Sequence, residues 1–224
     1  MRDNTRLELN MGARAGEFCQ AHPDSNPATA QVATRLVSLV GHSNELLLQH
    51  RTSELIATTA VERKNALRES IAEHLGSLAG ISRVASASKP DLTVHRRLPR
   101  GKASEPTFLS TARVAVAEAA ANKEVLLQHG MPVDLLDIMT AELDEFDAAL
   151  ARQRNAIATA VGANAELESV AREIMGVVRH LDYLHRLRFK QDPDLRAAWK
   201  SARNVAWKSG DTTPAPLPDS TQVA

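Results

Sequence analysis

The chain has one cysteine, Cys19, in 224 residues. That excludes an intrachain disulfide framework and any cysteine-based zinc cluster. Charge of one sign is also lacking: 27 Lys and Arg stand against 27 Asp and Glu. A generally basic nucleic-acid coat and an acidic solvating chain are both excluded by that balance. Long apolar runs are missing as well. The longest candidate, Val114–Ala121, is broken by Glu118, so no segment approaches the roughly 18 apolar residues of a membrane span. The first residues, Met1 to Arg6, carry no apolar signal-peptide core. The expectation is a cytoplasmic protein with no membrane span and a reduced Cys19.

Glycine and proline number ten each, and aromatics are limited to four Phe, two Trp and one Tyr. What fills the space is 36 Ala and 26 Leu, a bias toward helix throughout. With 43% hydrophobic residues the chain can build a packed core. The predicted fold class is all-α: an elongated helical bundle with two long heptad-bearing helices, three shorter helices and a disordered C-terminal tail.

Start and stop signals place five helices. The first runs from about Asn4 to Ala21, with Leu7, Met11, Ala15 and Phe18 on one face, and His22-Pro23-Asp24-Ser25 ends it. Asn26 caps the second, and Pro27 takes its first position, where a missing N–H costs nothing. No proline follows until Pro90, so this helix can extend for roughly 90 Å at 1.5 Å per residue. Residues 89–103 form a loop. The third helix begins near Ser104-Glu105-Pro106 and ends at His129-Gly130, with glycine as left-handed cap. Pro132 opens the fourth, which runs to about Gln191. Asp192-Pro193-Asp194 starts a short fifth, and the proline-rich residues 209–224 read as the tail. Residues 1–208 make one domain, with 1–88 and 104–208 as helix-hairpin halves.

The two long helices carry heptad seams. Alternating steps of three and four from Leu136 pass through Leu143, Phe146, Leu150, Gln153, Ile157, Asn164, Leu167, Ile174 and Leu181 to His185. Subtracting 100 gives the second helix's seam, from Leu36 through Ser43, Ser53, Lys64, Leu67, Ile71 and Leu78 to Ala85. A sustained seam of this kind requires a helical partner along its length. Its polar members read as register-setting positions. The shared phase suggests an internal duplication, but any two heptad-bearing helices align about as well. Gly41 and Gly162 are expected to kink these helices rather than end them. In the third helix Ala112, Ala115 and Ala119 make a small-residue face that predicts close insertion.

Catalytic and cofactor motifs are not found: no Glu-x-x-His, no His-Glu-x-x-His, no phosphate loop and no Gly-x-Gly-x-x-Gly. No catalytic, cofactor-binding or metal-binding residue is assigned, and no cofactor is expected. Cys19 reads as a small buried hydrophobe with only His22 near it in sequence. The acidic run Asp134, Asp137, Glu142, Asp144, Glu145 and Asp147 reads as a solvated face whose first members complement the helix dipole.

Two basic regions balance that run. Residues 83–102 contain Arg83, Lys89, Arg96, Arg97, Arg100 and Lys102 against Asp91. Residues 179–208 contain Arg179, Arg186, Arg188, Lys190, Arg196, Lys200, Arg203 and Lys208 against three aspartates. Parallel long helices would bring the two regions together, and antiparallel ones would separate them. The candidate polyanion contacts are Arg96, Arg97, Arg100, Lys102, Arg186, Arg188 and Lys190. The function expected is a non-enzymatic helical interaction or scaffold protein that binds a protein partner or self-associates through its seams. The alternatives are polyanion or nucleic-acid binding through the two basic regions, and an enzyme or metal protein with a site assembled across helices.

Overall fold

A computed structural model describes residues 3–92, 94 and 103–205. Four of the candidate polyanion contacts (Arg96, Arg97, Arg100 and Lys102) and the expected tail lie outside these residues, as does Lys208. The described residues are all-α, with no strand among them. Their helices are α1 (Asp3–Ala21), α2 (Pro27–Ala85), α3 (Glu105–Ala121), α4 (Lys123–Gln128), α5 (Leu135–Arg188) and α6 (Pro193–Ala202).

The expected boundaries hold where capping chemistry sets them. The Ala28 N–H donates to Asn26 Oδ1 at 3.0 Å, satisfying an orphan donor at the start of α2. Ser104 accepts from the Thr107 N–H, and Asp192 from the Leu195 N–H. Gly130 ends α4 with φ 92°, a backbone that side-chain-bearing residues rarely adopt. Both long helices run unbroken through Gly41 and Gly162.

The long helix expected from Pro132 to about Gln191 is α5, which starts at Leu135 and ends at Arg188. A further boundary differs in kind. The single helix expected over 104–129 is two, α3 and α4, divided at Asn122 (φ −118°, ψ 22°). Asparagine disfavours helix interiors because its amide competes for nearby backbone groups. Here Asn122 Nδ2 donates to the Glu118 carbonyl at 2.8 Å, and Lys89 Nζ donates to Asn122 Oδ1 at 2.6 Å. The described helices therefore number six rather than five.

The chain divides into two compact units. Unit 1 comprises residues up to Leu48 together with those from Ala163 onward, and unit 2 is Gln49–Gly162. Each draws on both long helices, and within each the two run antiparallel. In unit 1, Arg35 pairs with Glu173 and His42 with Glu166. In unit 2, Lys64 meets Gln153 and Ser70 meets Glu142.

The core of unit 1 joins Leu9, Met11, Ala15 and Phe18 of α1 to Leu36 and Leu46 of α2, and to Leu167, Ala171, Ile174 and Leu181 of α5. Gly12 permits the approach of α1, since a Cβ there would stand 2.5 Å from Ile174 Cγ2. The core of unit 2 joins Leu67, Ile71 and Leu78 of α2 to Leu143, Phe146 and Leu150 of α5 and Phe108 of α3. Ala112, Ala115 and Ala119 are fully buried in it, as their small-residue face predicts.

The seam of α2 is buried or half-buried from Leu36 to Ala85. That of α5 departs from the heptad in one place: Ala156 and Ala163 are buried, while Ile157 is 48% exposed. The N-terminus of α3 explains this. Glu105, its first residue, pairs with Lys64 opposite Gln153, so among the described residues no third helix of unit 2 covers the α5 turns beyond Gln153.

The acidic run of α5 is largely paired rather than merely solvated. Glu145 holds Arg63 through two hydrogen bonds of 2.8 and 2.7 Å, which lower the Glu145 carboxyl and raise the guanidinium. Arg113 of α3 reaches Asp144 and Asp147, and Glu142 accepts from Ser70 beside His74. These contacts tie α2 and α3 to α5 around a greasy core.

Lys64 tests how such polar seams act. Its side chain is only 10% exposed and faces Glu105 and Gln153. Removing one partner of a buried pair strands a charge, whereas replacing that charge by an apolar group of similar size does not. Glu105→Gln should therefore cost about 1–3 kcal/mol, discounted because Glu105 is partly solvated. Lys64→Met should fall within about 1 kcal/mol of the parent or stabilise it. Urea midpoints decide: equal losses in the two variants would contradict this account.

Candidate functional site

The C-terminal end of α5 lies in unit 1, beside the end of α1 and under α6. It gathers side chains that the sequence scatters. Phe18, Phe189 and Trp199, three of the chain's seven aromatics, enclose His185. The imidazole stacks on Phe189 at 5.0 Å and meets the Trp199 ring edge-on at 4.5 Å. Cys19 Sγ stands 3.8 Å from His185 Nε2.

This Cys–His contact is not a thiolate–imidazolium pair. Burial pushes the Cys19 thiol up to about 11, against a weaker downward pull from Arg188. Burial pushes His185 down to about 4, and Arg188 pushes the same way, while Asp24 and Asp182 oppose them. Both groups are neutral near pH 7. A protonated thiol beside a neutral imidazole assigns the tautomer: S–H donates to Nε2, and the ring proton sits on Nδ1. That nitrogen is buried without a hydrogen-bond partner. The low nucleophilicity of a neutral thiol agrees with the reading of Cys19 as a buried hydrophobe. Its histidine neighbour, however, is His185 rather than His22.

Two cavities flank the imidazole. The first, about 320 Å³, is walled by Cys19, Thr29, Ala33, Val37, His185 and Arg188. Arg188 is engaged there. It donates to the His22 and Pro23 carbonyls at 2.9 and 2.8 Å and lies 3.6 Å from Asp24, so it clamps the turn between α1 and α2. Asp24 is held below the usual carboxylate range, first by the Asn26 N–H and then by Arg188 and Thr29, against burial.

The second cavity, about 410 Å³, lies between α5 and α6 and is lined by Asp182, His185, Arg186, Arg196, Lys200 and Arg203 among others. Asp182 is its hub. It accepts from Trp199 Nε1 at 3.1 Å and pairs with Arg186 at 2.8 Å and Arg203 at 2.9 Å. The Arg203 contact has an ion pair's distance without a hydrogen bond's alignment, and its buried Nε has no hydrogen-bond partner.

Of the candidate contacts among the described residues, Arg186 and Arg188 therefore line different cavities, and Lys190 is exposed beyond α5. Residues 83–92 belong to unit 2, and 179–205 to unit 1. Arg196, Lys200 and Arg203 join Arg186, although the candidate contacts did not include them. The four-residue spacings Asp182–Arg186 and Arg196–Lys200 are legible signals for that grouping. Among the described residues no three His, Cys, Asp or Glu side chains are grouped to hold a metal ion. No helix among them is long and apolar enough to cross a membrane.

Compared with protein-family models, curated proteins and solved structures, the chain matches none.

Proposed function

We propose that the chain is a non-enzymatic helical interaction protein that self-associates through the uncovered turns of α2 and α5 in unit 2. Within each unit, seam residues such as Leu36, Ile71, Leu143 and Ile174 are buried inside the chain. The seams are thus occupied, and association requires another face.

The observation that carries the reading is an absence of charge where charge is the rule. Within unit 2, Asn155–Gly162 is eight residues of helix without an Asp, Glu, Lys or Arg, and Leu55–Val61 is seven more. In these turns Leu55 is 68% exposed, Ile56 46% and Val161 64%. Exposed apolar positions without interspersed charge mark surfaces that bind protein. An uncharged surface has no like charges to juxtapose, so a second copy is a suitable occupant, and two helices from each copy complete a four-helix layer.

Sedimentation equilibrium of the full chain at about 50 µM, where a contact of micromolar strength is populated, tests this. A dimer is expected, and the double variant Leu55→Glu/Val161→Glu should be monomeric with unchanged helicity. A monomeric parent protein, or a variant that stays dimeric, would overturn the proposal.

A further inference from the structure

The α5–α6 cavity has a charge imbalance that self-association does not use. Four cations, Arg186, Arg196, Lys200 and Arg203, line it against the single carboxylate of Asp182. That carboxylate already serves Trp199, Arg186 and Arg203. Arg196 and Lys200 stand one helical turn apart on α6, both exposed, and their side chains make no ion pair or hydrogen bond among the described residues. One buried nitrogen of a cavity-lining residue, His185 Nδ1, also has no hydrogen-bond partner, and Arg203 Nε has only its ion pair with Asp182. Buried polar groups left unpaired in a native structure are rare.

An anion of more than one charge answers all of these features. Guanidinium groups offer planar forks of donors that match phosphoryl oxygens, and lysine adds a point charge. The cavity, about 410 Å³, is within the range of small-molecule sites and far larger than a bare phosphate needs. Pro193 and Ala197 add apolar wall for an organic body. One concave recess takes one phosphoryl group, whereas a polynucleotide backbone is tracked by cations strung along a surface.

We propose that the α5–α6 cavity binds the phosphoryl group of a small phosphorylated organic molecule, with Arg196 and Lys200 as its principal charge contacts.

Calorimetric titration of the full chain with inorganic phosphate, with a hexose 6-phosphate and with a short single-stranded oligonucleotide separates the outcomes. The hexose phosphate is expected to bind more tightly than phosphate. The double variant Arg196→Gln/Lys200→Gln should weaken it by about tenfold or more, with an unchanged melting curve because both side chains are exposed and unpaired. Absence of heat with either phosphate compound up to about 10 mM, well above the millimolar range of weak ligands, would overturn the proposal. So would unaltered affinity in the variant, or equal affinity for phosphate and its hexose ester. Oligonucleotide binding that the hexose phosphate fails to displace would reassign the cations to a polyanion and overturn it too.

Discussion

Acidification from about pH 7 to pH 4 should destabilise unit 1 by roughly 3 kcal/mol through His185 alone. Burial among Phe18, Phe189 and Trp199 keeps the folded imidazole neutral down to about 4, whereas its unfolded value is 6.5. Between those values the unfolded chain binds the extra proton. Stability is therefore complete above 6.5, is lost as pH falls through the interval, and changes no further below it on this group's account. Carboxylates such as Asp24, whose pKa is lowered, contribute their own losses at still lower pH. His185→Phe isolates the effect, because phenylalanine keeps the aromatic contacts and cannot charge. Urea midpoints followed by Trp199 fluorescence in a Trp207→Phe background should show a steep acid dependence in the parent and a flatter one in the variant. Superimposable pH profiles would refute the account.

The second large effect is in unit 2. Phe146 is 0% exposed and lies 5.6 Å from the Phe108 ring, which carries the Arg68 guanidinium 4.4 Å above its centre. Phe146→Ala removes most of a buried ring from between three helices, whose close-packed neighbours relax only partly into the space. A loss of about 3–5 kcal/mol is expected from lost transfer energy plus the residual cavity. That is a large share of the 5–15 kcal/mol typical of a whole domain. The opposite error in the same core, Ala115→Leu, should cost about 1–3 kcal/mol by overpacking. Helix content followed through urea unfolding measures both. A Phe146→Ala midpoint within error of the parent would mean that the ring is not the keystone its burial implies.

Local chemistry explains what was legible in the sequence. Asn26-Pro27, Gly130 and Asp192-Pro193 mark helix ends because capping and backbone geometry act within four residues. The α2 seam was readable along its whole length because burial follows the heptad. The break at Asn122 was not foreseen, since it depends on Lys89 reaching across from the end of α2. Ile157 fell outside the seam because coverage there depends on where α3 begins, a tertiary fact. The antiparallel course of α2 and α5 could not be read either, because residues 89–103 are long enough to join helices in both directions. The contact of Cys19 with His185 spans 166 positions, and no local pattern encodes it. The α5–α6 cations were half legible: the basic excess of 179–208 was visible, but not that Asp182 would gather Arg186 and Arg203 to one cavity.

The division of the chain has a consequence for its synthesis. Unit 2 is one uninterrupted stretch, so every residue it needs has left the ribosome once Gly162 has emerged. Unit 1 is assembled from segments on either side of unit 2. Phe18 appears early, but Trp199, which packs 5.3 Å from it, comes 181 residues later. At typical elongation rates of 5–20 residues per second that interval is roughly 10–40 s. For that time the apolar face of α1, with Leu9, Met11, Ala15 and Phe18, has no finished unit to enter. Unit 2 is thereby complete before unit 1, although α1 precedes it in the chain. Unit 2 can fold during translation, while α1 must wait for α6. Nascent-chain aggregation and chaperone capture should therefore concentrate on α1, and truncation after Gly162 should leave unit 2 capable of folding but α1 stranded.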